Sequence, residues 1–451
     1  MSETVALVSL GCAKNLVDSE VMAGLLTRAG YRMIPSPEDA DVIIVNTCAF
    51  IDEAQEEAVD TILELAGEKR SGRCRALIVT GCLAQRFASD LLAEMPEIDA
   101  VVGTGDFPGI ADVVRRVLAG KRTKLVGAPC YLYDEKSPRI LSTPSYVAYI
   151  KIAEGCSNRC SYCVIPDLRG PFRSRRVESV VAEAERLARG GAKELILVAQ
   201  DTTRYGEDIY GRPSLARLLQ EVCRVDGPRW LRTLYMYPTR VTDELIAVMA
   251  SEPRICKYVD LPLQHADDDI LRAMNRRGTS DDARDVIARF RAAIPDVTIR
   301  STFIVGFPGE TEEKFRTLVE FLKEVRLDRV GVFAYSPESG TPAARMRRGR
   351  VSAREKERRR REAMEVQRDI CREKNEARVG RVYDVLIEGR SEETELVAVG
   401  RSQAEAPEID GLIYIGNEHP PPGEFRRVRI ADAGDYDLVG EALPSGEGGD
   451  A

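Results

Sequence analysis

Histidine is nearly missing from this chain: among 451 residues only His265 and His419 occur. That scarcity speaks against a His-rich metal site and against a Ser-His-Asp hydrolase. Long apolar stretches are missing as well. No run approaches the ~18 residues that a transmembrane helix requires, so none is expected. The opening residues, Met-Ser-Glu-Thr-Val-Ala-Leu, hold no basic stretch leading into a long apolar one. This predicts a cytoplasmic protein that is not secreted and has no membrane partner. Cysteine is the exception, with 11 copies. An odd number in such a chain points to metal binding or catalysis over a disulfide framework. With 44% hydrophobic and 31% charged residues the chain is globular, and its length predicts two or three domains.

Charge is unevenly spread. Residues 379–451 carry 16 acidic and 6 basic side chains, a local net of −10, which leaves +2 on the rest of a chain whose total is −8. An acidic terminal domain repels nucleic acid and attracts a basic partner.

The N-terminal segment repeats one pattern. Three short apolar runs, Val5 to Leu10, Val42 to Val45 and Ala76 to Val79, end in Gly11-Cys12, Asn46-Thr47-Cys48 and Thr80-Gly81-Cys82. Each reads as a buried parallel strand, with helical patterns at 16–29, 52–68 and 84–95 between and after them. Such alternation predicts an open α/β sheet, whose chemistry lies beyond the carboxyl ends of the strands. All three cysteines fall there. The middle segment alternates again, with strands expected at 147–152, 194–198, 232–237, 257–261, 298–304 and 329–333. Six strand-helix units suggest a parallel barrel short of the full eight. From about residue 379 the pattern changes to four short alternating runs separated by Gly and Pro, which predicts a small antiparallel barrel of the oligonucleotide-binding type. The stretch 345–361, with ten basic and two acidic side chains, reads as a solvated helix face, or less readily as a nucleic-acid contact, because no aromatic residues interleave the charges.

The sharpest signal is Glu154-Gly155-Cys156-Ser157-Asn158-Arg159-Cys160-Ser161-Tyr162-Cys163, directly after the first barrel strand. Three closely spaced soft thiolates suit zinc or an iron-sulfur cluster. A closed zinc site needs four ligands, and no fourth Cys or His lies nearby in sequence. Three thiolates on a four-iron cluster leave one iron open. The bland alternatives are a zinc knuckle or packing cysteines.

This Cys-x3-Cys-x2-Cys motif at the mouth of an incomplete barrel resembles the radical S-adenosylmethionine (SAM) enzymes. In that family the open iron binds the amino and carboxylate groups of SAM, and the reduced cluster cleaves it to methionine and a 5′-deoxyadenosyl radical. Gly11-Cys12, Asn46-Thr47-Cys48 and Gly81-Cys82 ahead of it resemble the methylthiotransferases of the superfamily. There, three such cysteines hold a second [4Fe-4S] cluster that carries the inserted sulfur, and a TRAM domain of the predicted barrel type ends the chain. The resemblance implies an N-terminal methylthiotransferase domain at 3–125, a radical SAM core at 142–375 and a TRAM domain at 378–443; the last residues, 444–451, read as a disordered tail. It implies one cluster on Cys12, Cys48 and Cys82 and another, SAM-binding, on Cys156, Cys160 and Cys163. Tyr162, Gln200, Asp201, Gln264 and His265 become candidates for SAM contact, with His265 equally readable as a structural hydrogen bonder. The other cysteines, Cys74, Cys130, Cys223, Cys256 and Cys371, stand singly and read as packing or surface residues.

Two branches of the family are known, one acting on adenosine in tRNA and one on an aspartate of a small-subunit ribosomal protein. Gly11-Cys12-Ala13-Lys14-Asn15-Leu16-Val17-Asp18-Ser19-Glu20 and Ala199-Gln200-Asp201-Thr202-Thr203-Arg204-Tyr205-Gly206 resemble the protein-modifying branch. That implies methylthiolation of the aspartate β-carbon in the decoding-centre protein uS12, with one SAM giving a methyl group and another the radical. A sulfur donor and a flavodoxin- or ferredoxin-like electron donor are the implied partners. The acidic terminal domain agrees independently, because ribosomal proteins are basic and a tRNA substrate is disfavoured. Glu392, Glu393 and Glu395 in one expected loop, and Glu405, Glu408 and Asp410 in the next, are the candidate docking residues. A tRNA adenosine 2-methylthiotransferase and a non-catalytic iron-sulfur scaffold are the alternatives.

Overall fold

The three cysteine-terminated runs form the centre of one parallel sheet in the computed structural model, which describes residues 3–49 and 51–444. The tail expected at 444–451 lies outside the described residues apart from Pro444. In chain order the N-terminal elements are β1 (Thr4–Ser9), α1 (Ala13–Arg28), β2 (Arg32–Met33), β3 (Val42–Thr47), α2 (Asp52–Ser71), β4 (Ala76–Gly81), α3 (Cys82–Glu94), β5 (Ala100–Val102), α4 (Ile110–Leu118) and β6 (Thr123–Leu125). The sheet order is β2-β1-β3-β4-β5-β6, and every pairing is parallel. β3 and β4 are buried along their whole length, which explains their unbroken apolar, β-branched sequence. Ile43, Val45, Leu77 and Val79 share a core with Ile62 of α2 and Leu83 of α3.

Next come β7 (Val147–Lys151), β8 (Ala153–Glu154), α5 (Ile165–Arg169), β9 (Arg173–Ser174), α6 (Val177–Arg189), β10 (Glu194–Val198), α7 (Glu207–Tyr210), α8 (Leu215–Cys223), β11 (Trp230–Thr233), α9 (Asp243–Ser251), β12 (Tyr258–Asp260), α10 (Asp268–Ala273), α11 (Ser280–Ala293), β13 (Thr298–Val305), α12 (Glu312–Val325), β14 (Arg329–Ala334) and α13 (Ala353–Glu376). Among the described residues the chain divides into two compact units. The first holds everything up to Arg189, with Ile196–Ser214 and Ser336–Arg345; the second holds Gly190–Leu195, Leu215–Tyr335 and the chain from Met346. In the first unit β7 lies beside the end of β10, Ile152 N donating to Val198 O at 2.9 Å. In the second, β12, β13 and β14 make a parallel sheet, and β11 joins the Ile255 backbone by a parallel bridge.

The second unit ends in a closed barrel of β15 (Val382–Arg390), β16 (Ala398–Arg401), β17 (Ile413–Ile415), β18 (Phe425–Ala433) and β19 (Leu438–Ala442), in the order β15-β16-β17-β19-β18. One detail corrects the expectation of a purely antiparallel barrel: β17 and β19 pair parallel, because the fifth strand, missed in the sequence, closes the gap. The basic stretch lies largely on α13. Arg358 meets Glu312, Glu355 and Glu362, and Arg360 meets Glu357. The exposed-face reading thus accounts for most of the Arg358–Arg361 run. No described helix is long and apolar enough to cross a membrane.

Candidate active site

The N-terminal cysteines are brought level by strand register. Ser9 lies opposite Asn46, Asn46 opposite Thr80, and Thr47 opposite Gly81, so β1, β3 and β4 end together. Cys12 is the N-cap of α1, Cys82 opens α3, and Cys48 follows β3. In a sheet ordered 2-1-3-4-5 the crevice between β1 and β3 is the topological switch point, where α/β proteins bind ligands. Side chains fix the three ends to one another. Asn15 Nδ2 donates to Leu10 O at 3.1 Å and Thr47 O at 3.0 Å, Asn46 Nδ2 to Asn15 O at 2.9 Å and Ser19 Oγ at 2.8 Å, and Thr47 Oγ1 to Thr80 O at 2.6 Å.

Two glycines are required here. Gly11 has φ +87°, and a Cβ on it would come within 2.8 Å of Cys48 Cβ; Gly81 has φ +92°, and its Cβ would meet Asn46 Oδ1 at 2.4 Å and Thr47 O at 2.5 Å. Both conformations are costly for any residue with a side chain. The thiols differ in environment. Around Cys12 the crowding of the chain opposes ionisation, but the residue is exposed. Lys14, Arg169 and the Asn15 and Lys14 amides hold this thiol below its ordinary value, as expected at a helix N-terminus beside cations. Burial pushes the Cys82 thiol up, with Arg169 opposing that shift and Cys12 adding to it.

The second triad lies in the loop between β8 and α5. Cys156 N donates to Gly170 O at 3.0 Å, Cys163 N to Cys160 O at 3.1 Å, and Ala343 N to Ser161 O at 2.9 Å. Phe172 N reaches Ser157 Oγ at 3.2 Å. All three cysteines are half-buried, and burial pushes the Cys156 thiol up to about 11. Among the described residues no three His, Cys, Asp or Glu side chains converge closely enough to chelate a single metal ion. Cluster ligands sit on different irons, so their sulfurs stand further apart than those around one zinc. Soft donors in both triads, and a cation beside the first, fit an iron-sulfur cluster better than a hard cation.

Between these triads runs a buried ionic network that the sequence did not announce. Lys151, at the end of β7, bridges Asp18 of α1 and Glu154 of β8. Arg169, the last residue of α5, meets Asp18 through Nη1 at 2.5 Å and Glu154 at 3.5 Å. Its Nη2 donates to Asn15 Oδ1 and reaches Cys82 Sγ at 3.6 Å. Burial raises the cost of charging Glu154, yet Lys151 and Arg169 hold its carboxyl down at about 2. A second balanced set packs beside it: Arg139 joins Glu20 and Glu183, and Arg175 joins Glu183, which also accepts from Tyr133 Oη at 3.0 Å. The signal available in the sequence was Lys151, a charged residue within the apolar Val147–Ile152 run.

The other expected site residues take varied places. Gln200 donates to Glu154 Oε1 at 2.8 Å, and its own carbonyl oxygen is buried without a partner. Asp201 accepts from Asn158 Nδ2 at 2.8 Å, from Thr203 Oγ1 at 2.6 Å and from the Arg204 amide, so it braces the cysteine loop. Tyr162 is half-buried beside Cys163. Gln264 and His265 belong to the second unit. Gln264 has φ +74°. His265 accepts from Asp267 N at Nδ1, 2.9 Å, and meets Glu310 Oε1 at Nε2, 3.4 Å; both ring nitrogens serve the fold.

The docking set needs correction. Glu405 is 1% exposed and lies between Arg378 at 2.6 Å and Arg329 at 3.4 Å. Asp410 accepts from Tyr258 Oη at 2.6 Å and Ala406 N at 2.9 Å. Both acids serve the interior, since alternation alone could not separate them from loop charges. Glu392, Glu393, Glu395 and Glu408 are exposed. Of the single cysteines, Cys74, Cys256 and Cys371 are buried, Cys223 is half-buried and Cys130 is exposed.

Comparison with known proteins agrees with this layout. Residues 4–103 match the uncharacterized protein family UPF0004, residues 150–322 the radical SAM superfamily, and residues 379–443 the TRAM domain. The ribosomal protein uS12 methylthiotransferase RimO of Pelotomaculum thermopropionicum is 54% identical over 98% of this chain and 100% of its own. That of Geobacter sulfurreducens is 51% identical over 98% of this chain and 99% of its own. Among solved structures, the radical SAM methyltransferase TsrM from Kitasatospora setae, with cobalamin and a [4Fe-4S] cluster bound, aligns with TM-score 0.57. It is 19% identical and covers 76% of this chain and 77% of that one, a likeness of fold.

Proposed function

Because the chain belongs to the ribosomal protein uS12 methylthiotransferase RimO family of radical SAM enzymes, we propose that it attaches a methylthio group to the β-carbon of an aspartate in uS12. The observation that carries this reading is the pair of three-cysteine sets in one compact unit, joined by the Cys82–Arg169–Asp18–Lys151–Glu154 network. We assign Cys12, Cys48 and Cys82 to one [4Fe-4S] cluster and Cys156, Cys160 and Cys163 to the other. When bound, these groups supply reductive cleavage of SAM at the second triad and a carrier for the inserted sulfur at the first.

The chain's own residues hold and orient. Asn15, Asn46 and Thr47 keep the first triad's strand ends level. Asn158 and Asp201 brace the second triad's loop. Gln200, anchored on Glu154 with a carbonyl oxygen left over, is suited to accept from the SAM ammonium. For the substrate, Glu392, Glu393, Glu395 and Glu408 offer an exposed acidic surface to a basic protein. In this role the protein works in the cytoplasm and draws on separate sulfur and electron donors. Reconstituted enzyme should yield methylthiolated uS12 peptide by mass spectrometry and leave tRNA unmodified; tRNA modified with uS12 untouched would refute the assignment.

A further inference from the structure

Arg169 belongs to the segment that carries the second triad, yet its guanidinium reaches the first. It ends α5, the helix that begins just after Cys163, and the Cys156 amide bonds the carbonyl of the next residue, Gly170, at 3.0 Å. Its Nη1 faces Asp18 and Glu154. Lys151 bridges both acids but brings one positive charge to two negative ones, so Nη1 of Arg169 completes the balance. The other terminal nitrogen, Nη2, points away from them, to Asn15 Oδ1 and to Cys82 Sγ at 3.6 Å. Asn15 in turn donates to the backbone at the ends of β1 and β3. The guanidinium is buried, with its side chain 3% exposed, so water screens its field little.

We propose that Arg169 is a positioning residue for the N-terminal cluster: its N–H donates to the Cys82 sulfur, and its charge sets that cluster's reduction potential. This rests on the reading above that Cys12, Cys48 and Cys82 hold a cluster. Reduction adds negative charge to the cluster. A hydrogen bond to a ligating sulfur and a buried cation both favour the more negative state, so both raise the potential. Because Arg169 is held by the loop of the second triad, the potential at one triad depends on a residue ordered at the other.

The test uses full-length protein in which Cys156, Cys160 and Cys163 are replaced by alanine, so that only the N-terminal cluster is present. Into this background go Arg169→Lys and the double change Arg169→Gln with Asp18→Asn, which removes one buried charge of each sign. Iron per chain and a dithionite redox titration followed by electron paramagnetic resonance are measured for each. The expected result is about four irons in the parent, a midpoint potential shifted to more negative values in the double variant, and a smaller shift in the same direction in Arg169→Lys, which keeps the charge but loses the directed donor. Equal potentials in parent and Arg169→Lys would overturn the proposal if the double variant also matches the parent or fails to hold iron. A purely structural role would alter iron content or melting temperature and leave the potential of the loaded protein in place. A parent that binds no iron would overturn the cluster assignment itself, and this inference with it.

Discussion

At the scale of one residue, a methyl group on Gly11 would press directly on Cys48 of the first triad. Gly11 combines φ +87° with a prospective Cβ at 2.8 Å from Cys48 Cβ and 3.2 Å from its sulfur. Gly11→Ala should therefore cost about 1–2 kcal/mol in backbone strain and displace Cys48. Iron after anaerobic reconstitution should fall to about half the wild-type value, with SAM cleavage retained. Full iron content in that variant would show that the close approach does not matter. Glu405 offers a separate test. Burial raises the cost of charging it, but Arg378 and Arg329 hold its carboxyl at about 2, below the ordinary 4.5. A depressed carboxyl stabilises the fold fully above pH 4.5, and that contribution is lost as pH falls toward 2. Glu405→Gln should destabilise the protein at neutral pH by about 3–5 kcal/mol, as removal of one partner of a buried pair does, and should flatten the fall in denaturant stability between pH 4.5 and 2. The roles of Glu405 and Arg169 were illegible in the sequence for one reason: their partners are distant. Arg169 meets residues 87 and 151 positions away, whereas the cysteine spacing 156, 160, 163 is local and announces itself.

At the scale of elements, legibility followed periodicity and length. β10 is found at the boundaries 194–198 that its apolar pattern indicates, because it is a full apolar run. β5 and β6, of three residues each, were missed. β19 was missed because Gly440 interrupts it, and Gly440 is needed there: a Cβ would lie 2.4 Å from Val428 Cγ1. The loop between β15 and β16 is the element on which the substrate argument depends. It presents the exposed Glu392, Glu393 and Glu395, with Leu396, 74% exposed, next in the chain. Reversing the three acids to lysine should raise the KM for uS12 several-fold at low salt and leave SAM cleavage unchanged. The difference should shrink as salt rises, since exposed charges are screened beyond ~8 Å near physiological ionic strength. Equal KM values at low salt would remove the loop from substrate docking.

At the scale of the whole molecule, the proposed labour is divided between two cysteine sets that one buried network joins. Replacing Cys156, Cys160 and Cys163 with alanine should halve the iron bound after reconstitution, from about eight to about four per chain; undiminished iron would show that these thiols are not ligands. The division of labour itself is tested most directly by one comparison. Reconstituted wild type, Cys12→Ala and Cys160→Ala are each incubated with uS12, SAM and dithionite, and both 5′-deoxyadenosine and the modified peptide are quantified by mass spectrometry. The account predicts both products from wild type, 5′-deoxyadenosine without the methylthiolated aspartate from Cys12→Ala, and neither from Cys160→Ala. A methylthiolated aspartate formed by Cys12→Ala, or loss of SAM cleavage in that variant while its second triad still holds iron, would contradict it.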